Sequence, residues 1–217
     1  NPATSTVDTQ GQARLNYLRG DPSNEGTGNN YRARGATGSK FKLGDIVNSA
    51  PFYVGSPGFL PDSLETVTHS SFRTTYAART EMIYVGGNDG MLHGFDAATG
   101  DEKIAYVPSS VFYDPLTNSP KLNQLTNTNY THRFFVDGSP TVNDVFGAFT
   151  NVSGICTGGC WRTVLVGGLG GGGKGIYALD ITDPAGAPIS GLAFSETNAA
   201  RIALWEFNDS SSISSIA

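Results

Sequence analysis

Three histidines, two cysteines, a glycine run and one Arg-Gly-Asp triplet are the residues of this 217-residue chain that could carry chemistry. His69, His93 and His132 lie far apart and share no metal-ligand spacing, so any triad would have to be assembled by the fold. His93 alternates with Met91 and Phe95 along a strand-like run, which gives its imidazole a hydrogen-bonded structural role. Cys156 and Cys160 enclose Thr-Gly-Gly. In an oxidising compartment they would close a local disulfide worth about 2 kcal/mol on the entropic model; in a reducing one they stay as two thiols. A zinc half-site finds no second Cys/His pair at ligand spacing. Gly168 to Gly173 fits G-x-G-x-x-G, but Lys174 leads through Gly175 into a strand-like run from Ile176, not into a helix. Nucleotide loops aim a helix N-terminus at their phosphate, so a glycine-rich hairpin is the better reading.

Arg19-Gly20-Asp21 spells the tripeptide by which many ligands engage integrins, a guanidinium and a carboxylate on either side of a glycine turn. The same Gly20 also suits the position that ends a helix, with Pro22 just beyond. Asp89, Asp96, Asp137, Asp144 and Asp180 mostly occupy turns, where a carboxylate accepts nearby backbone N–H groups. A metal site drawn from some of them is the alternative. Trp161 and Trp205 are expected to fill the core.

The elements that must position these groups are strands. Met82 to Gly86, Met91 to Phe95 and Lys103 to Val107 form a meander, joined by Asn88-Asp89-Gly90 and by a turn from Asp96 to Gly100. Gly, Asn and Asp tolerate the positive φ that such turns need. The unit recurs: Arg162 to Gly168 matches Thr80 to Gly87, and Gly175 to Asp183 matches Gly90 to Ala98. The flanking Val47 to Val54 and Val136 to Val142 also echo, each placing Ser and Pro before a short apolar run. Repetition of a supersecondary unit indicates a propeller or solenoid, and a spacing of roughly 80 residues is twice an ordinary four-stranded blade, so long inserts are required.

The fold class is therefore all-β and β-propeller-like, with quinoprotein-type blades, incomplete at two or three blades, with one short N-terminal helix and long loops. Residues 1–42 form a polar segment whose helix runs from Thr9 to Leu18, capped by Asp8 or Thr9. Residues 43–207 form the partial propeller, interrupted by loops at Gly55 to Arg79, Ser109 to His132 and Gly147 to Cys160. Ala203 to Phe207 add a last strand, and 208–217 are a flexible tail.

Charged residues make up 15% and glycine supplies 28 positions, which favours tight turns between short strands. A net charge of −5 and the absence of any basic run argue against a nucleic-acid or anionic-membrane surface. No apolar stretch approaches the roughly 18 residues of a membrane span. A signal for export, if used, lies upstream of Asn1.

Leu43 to Gly55 (LGDIVNSAPFYVG), Tyr84 to Glu102 (YVGGNDGMLHGFDAATGDE), Ala105 to Phe112 (AYVPSSVF), Phe135 to Val145 (FVDGSPTVNDV) and Trp161 to Pro184 occur in this order. In that order they resemble the C-terminal domain of the PilC/PilY family, type IV pilus tip-associated adhesins and biogenesis factors. The resemblance covers most of the chain. It implies a non-enzymatic, extracytoplasmic protein at the pilus tip, cell surface or outer membrane, serving pilus assembly, retraction, twitching motility and attachment. The partners it implies are minor pilins or other pilus tip proteins and a host-cell receptor, the latter through an Arg-Gly-Asp segment. No cofactor is expected: some family members bind calcium in an EF-hand-like loop, but this chain has no D-x-D-x-D-G run, so that site is not carried over. The large variable N-terminal region of the family is absent, and the chain stops soon after Leu204-Trp205-Glu206-Phe207, where the family propeller continues. Two other classes compete. A quinoprotein-like dehydrogenase would need a full propeller, a quinone, calcium and an adjacent-cysteine ring that Cys156 and Cys160 do not match. A filament or sheath component would self-associate.

Overall fold

The computed structural model describes residues 9–26, 28–35, 41–62, 67–114, 119–149, 156, 158–186 and 193–208. Asp8 and residues 209–217 of the expected tail lie outside the described residues, as do residues 150–155 and 157 of the expected loop from Gly147 to Cys160.

The first half of the repeat forms a four-stranded antiparallel sheet of β1 (Phe52–Val54), β2 (Met82–Gly86), β3 (Leu92–Asp96) and β4 (Glu102–Tyr106), in spatial order β1-β2-β3-β4. A two-stranded pair, β5 (Tyr113–Asp114) and β6 (Ser119–Pro120), follows in the connection. The second half forms a matching sheet of β7 (Thr141–Gly147), β8 (Cys160–Gly168), β9 (Gly175–Asp180) and β10 (Ala203–Asn208), again ordered along the chain. Each is a propeller blade of consecutive antiparallel strands, with tight turns joining β2 to β3 and β3 to β4 and longer segments joining β1 to β2 and β9 to β10. In the β2–β3 turn Gly90 takes φ +95°, and Gly87 N–H donates to Met91 O at 2.8 Å.

Both sheets use one packing device, an aromatic ring laid over a cross-strand glycine. Tyr84 faces Gly94, where a Cβ would come within 2.7 Å of its ring. Tyr177 faces Gly167, where a Cβ would come within 2.3 Å of the ring. A glycine inside a strand, ordinarily unfavourable, is kept here for the ring that covers it. Both tyrosines are buried in one core that also takes Met82 and Leu92 from the first sheet and Leu165 and Leu179 from the second. The sheets also meet through Tyr106 and Tyr177, whose ring centroids are 5.3 Å apart, and through buried Arg79, which donates to Gly55 O and Thr163 Oγ1 at 2.7 and 2.6 Å.

Several expectations change. The loop from Gly55 to Arg79 contains α2 (His69–Thr75), capped where Thr68 Oγ1 accepts Ser71 N–H. Phe72 and Tyr76, in and just after that helix, pack against Trp161 in a separate cluster, an apolar spacing too short to announce a helix. The N-terminal helix α1 (Gly11–Leu18) begins after Gln10 and not after Asp8 or Thr9, and no side chain caps it. Tyr17 at its far end is buried and donates to Leu125 O at 3.2 Å, so tertiary packing holds the helix in place of a cap. A short α3 (Ala199–Ile202) precedes β10. Trp205 is 38% exposed instead of filling the core, because it points out of the sheet face away from that core.

Only Phe52–Val54 of the Val47 to Val54 run is strand. The chain ahead of it, residues 41–50, is a strap stitched to both sheets by hydrogen bonds. Gly44 N–H donates to Asp89 Oδ2 at 2.6 Å, Asn88 N–H donates to Asp45 O, and Asn48 Nδ2 donates to Asp137 Oδ2 at 2.7 Å. Ser49 Oγ accepts Gly86 N–H, and Ala50 N–H reaches Ser139 Oγ. With its backbone tied inward, the strap leaves Leu43, Ile46 and Val47 exposed.

Candidate functional site

The fold does not gather the histidines; each meets separate carboxylates, one at His69 and His132 and two at His93. His69 is fully buried against Asp144 at 2.9 Å and lies edge-on to Trp161. Asp144 sits in β7, not in a turn, and also accepts from Thr163 Oγ1 at 2.7 Å. His132 meets Asp45 at 2.7 Å on the surface. Burial works against ionising Asp45, but hydrogen bonds from His132 and Asn88 outweigh it and hold the carboxyl below its ordinary range. His93 is bracketed, Nδ1 facing Glu102 Oε1 at 2.5 Å and Nε2 facing Asp89 Oδ1 at 3.0 Å. Burial alone would lower its pKa, but the bonds from Asp89 and then Glu102 raise it to about 9. The imidazole is hydrogen-bonded, as its alternation with Met91 and Phe95 led us to expect.

A groove of about 730 Å³ opens beside His93. Its walls are Leu15 and Leu18 of α1, Lys42 and Leu43 of the strap, Met91 and Phe95 beside β4, and Phe194 and Ile202 near α3. Arg19 and Gly20 stand at this groove too. Gly20 takes φ +95° and its N–H bonds Tyr17 O, while Asp21 N–H bonds Asn16 O, the pattern that terminates a helix. Arg19 is paired with Glu196, with 54% and 83% of the two side chains exposed. Asp21 accepts Ser23 N–H at 2.8 Å and the Ser23 hydroxyl, which together hold its exposed carboxyl below the ordinary range. Guanidinium and carboxylate therefore both reach the surface, each with a local partner.

Cys156 and Cys160 are joined as a disulfide with Cα atoms 5.4 Å apart, at the start of β8. The glycine run is the β8–β9 connection. A Cβ at Gly172 would meet Phe135 O at 1.7 Å, and Gly138 N–H bonds Gly168 O at 3.2 Å, so the loop is packed against the chain before β7. Asp96 behaves as a turn carboxylate, accepting Ala98 N–H at 2.9 Å. Among the described residues no group of three or more His, Cys, Asp and Glu side chains is placed to hold a metal ion, and no helix is long and apolar enough to cross a membrane.

The feature missed in the sequence is surface apolarity. By the strand register, Val145, Val166, Ile176 and Trp205 lie on one face of the second sheet, and all four are exposed. Contiguous exposed apolar side chains mark contact surfaces. Alternation along β8 was visible, but not which face the core would take.

Two glycine-notched meander sheets sharing a core, without a gathered set of reactive side chains among the described residues, define a propeller-type scaffold that offers surfaces. Residues 43–200 match the family model for the PilY1 beta-propeller domain, and the chain belongs to that family. It is 44% identical over 186 residues to a type IV pilus biogenesis factor PilY1 of Pseudomonas aeruginosa (strain PAK), covering 82% of this chain and 14% of that protein. A PilY1 homolog of Xylella fastidiosa (strain Temecula1) is 42% identical over 177 residues, 79% of this chain and 13% of that one. The chain thus spans about one seventh of these relatives. The crystal structure of the Pseudomonas aeruginosa PilY1 C-terminal domain is 35% identical, with a TM-score of 0.43 over 72% of this chain and 25% of that one.

Proposed function

We propose that this chain is a non-enzymatic module of a type IV pilus biogenesis factor, acting through protein contacts at the pilus tip. The observation that carries the proposal is its sequence likeness over 82% of its length to proteins named as such factors. The exposed apolar face of the second sheet and the strap supply surfaces for minor pilins or other tip proteins. Buried Asn88, Asp137 and Arg79 tie separate segments together, which suits a scaffold. On this reading the module is extracytoplasmic, in keeping with its disulfide.

Trp205→Glu and Val166→Asp on that face, placed in the full-length protein, are expected to reduce surface piliation and twitching while leaving the isolated domain folded. Normal piliation with both changes would refute contact through this face. Arg19, Gly20 and Asp21 are the proposed receptor-facing triplet for host attachment. Asp21→Glu keeps the charge but lengthens the side chain, and adhesion to integrin-bearing cells should fall; unchanged adhesion removes the triplet from the proposal. A quinone absorbance band in purified protein would instead favour the dehydrogenase class.

A further inference from the structure

His93 joins three separate segments through its two nitrogens. Nε2 holds Asp89 in the β2–β3 turn, and Nδ1 holds Glu102 at the start of β4. Asp89 passes the connection on, because its Oδ2, itself 3.1 Å from Nε2, accepts Gly44 N–H of the strap at 2.6 Å. It also accepts Met91 N–H at 3.3 Å, so one carboxylate orders both the turn and the strap. The fit at Gly44 is close, since a Cβ there would meet Asp89 N at 2.3 Å.

A neutral imidazole has one N–H donor and one acceptor nitrogen, whereas a carboxylate only accepts. Carboxylate oxygens face both nitrogens here, so only the imidazolium satisfies both contacts. When the proton leaves, one nitrogen must turn a lone pair toward a carboxylate. His93 is 3% exposed and water cannot readily repair that contact. Asp89 is the more enclosed acid, with 13% of its side chain exposed against 47% for Glu102. The remaining charged groups of the adjoining groove are Arg19 just after α1, Lys42 from the strap, Lys103 from β4 and Glu196 before α3, none of them bonded to the ring.

We infer that His93 is a proton-operated latch for the strap: as imidazolium it fixes Asp89 and through it Gly44, and as neutral imidazole it lets the 41–45 end of the strap loosen. Asn48 and Ser49 keep the far end tied, since their partners Asp137 and Gly86 do not involve the ring. The latch thereby sets how Leu43 and Ile46, both exposed, are presented. The folded-state pKa lies above the ordinary histidine value of 6.5, so the stabilisation is complete below that pH and is lost as pH rises through about 9.

Imidazole carbon-bound proton shifts and amide hydrogen exchange on the same folded protein, followed from pH 6 to 10, test the latch. The expected result is a His93 midpoint near 9, with Gly44 and Met91 amides losing about tenfold of their protection across that midpoint relative to Val164 after correction for intrinsic exchange. Glu102→Gln, a partly exposed change, should move the midpoint and the Gly44 loss downward together. His93→Gln should leave Gly44 already loosened at pH 7 and insensitive to pH. A midpoint near 6.5, or Gly44 protection indifferent to the His93 proton, would overturn the inference, and both are readable in the unsubstituted protein.

Discussion

The two sheets carry the same repeat but are held in different ways. The first has short strands, three residues in β1 and five in each of β2, β3 and β4, and leans on side-chain ties: the strap and Arg79 from outside it and His93 of β3 within it. The second has β7 of seven residues and β8 of nine, and keeps its charge within the sheet, where Arg162 and Asp180 face each other at 3.3 Å with about 2% of each exposed. A disulfide closes the segment that leads into β8. Short strands offer few ladder bonds, so side-chain stitches complete the first sheet, while the longer ladder of the second tolerates a desolvated ion pair.

Removing one member of that pair should have the largest effect. Arg162→Met leaves Asp180 buried without its cation and is expected to cost roughly 3–5 kcal/mol, much of which Arg162→Met with Asp180→Leu should recover. Urea denaturation of the single and double variants measures the difference. Leu165→Ala, at a fully buried position of the shared core, should cost about 3 kcal/mol. If the sheets unfold as one unit, fluorescence of Trp161 and hydrogen exchange in β2 will report the same loss; separate transitions would mean that the core is not shared.

Much of this contrast was legible in the residues. Val85-Gly86-Gly87 and Val166-Gly167-Gly168 marked β2 and β8, and Asn88-Asp89-Gly90 marked the turn from β2 into β3, because turn chemistry and alternation are local. The disulfide was legible from a five-residue span. The strap was not: Gly44 and Asn48 are tied to Asp89 and Asp137, residues 45 and 89 positions away, and no local pattern encodes such a bond. α2 stayed hidden for the same reason, since Phe72 and His69 find their partners in Trp161. Sequence alternation also could not tell that Trp205 would face outward.

Smaller effects sharpen the comparison. Reducing Cys156–Cys160 should cost about 2 kcal/mol on the loop-entropy model and should raise hydrogen exchange in the β7–β8 pair, leaving β2–β3 unchanged. Equal loosening of both sheets would show that the bridge is not local to the second. Arg19→Ala removes an exposed ion pair with Glu196, and its effect on the midpoint of thermal unfolding should correspond to under about 1 kcal/mol. A larger loss would mean that the groove mouth fastens the two sheets together.

The claim on which the rest stands is that the two sheets pack as neighbouring blades. Tyr106 of the first and Tyr177 of the second have ring centroids 5.3 Å apart, so nuclear Overhauser effects between their ring protons report that packing directly. Strong cross-peaks between the two rings are predicted. Their absence, with both tyrosines assigned and the protein folded, would contradict the account.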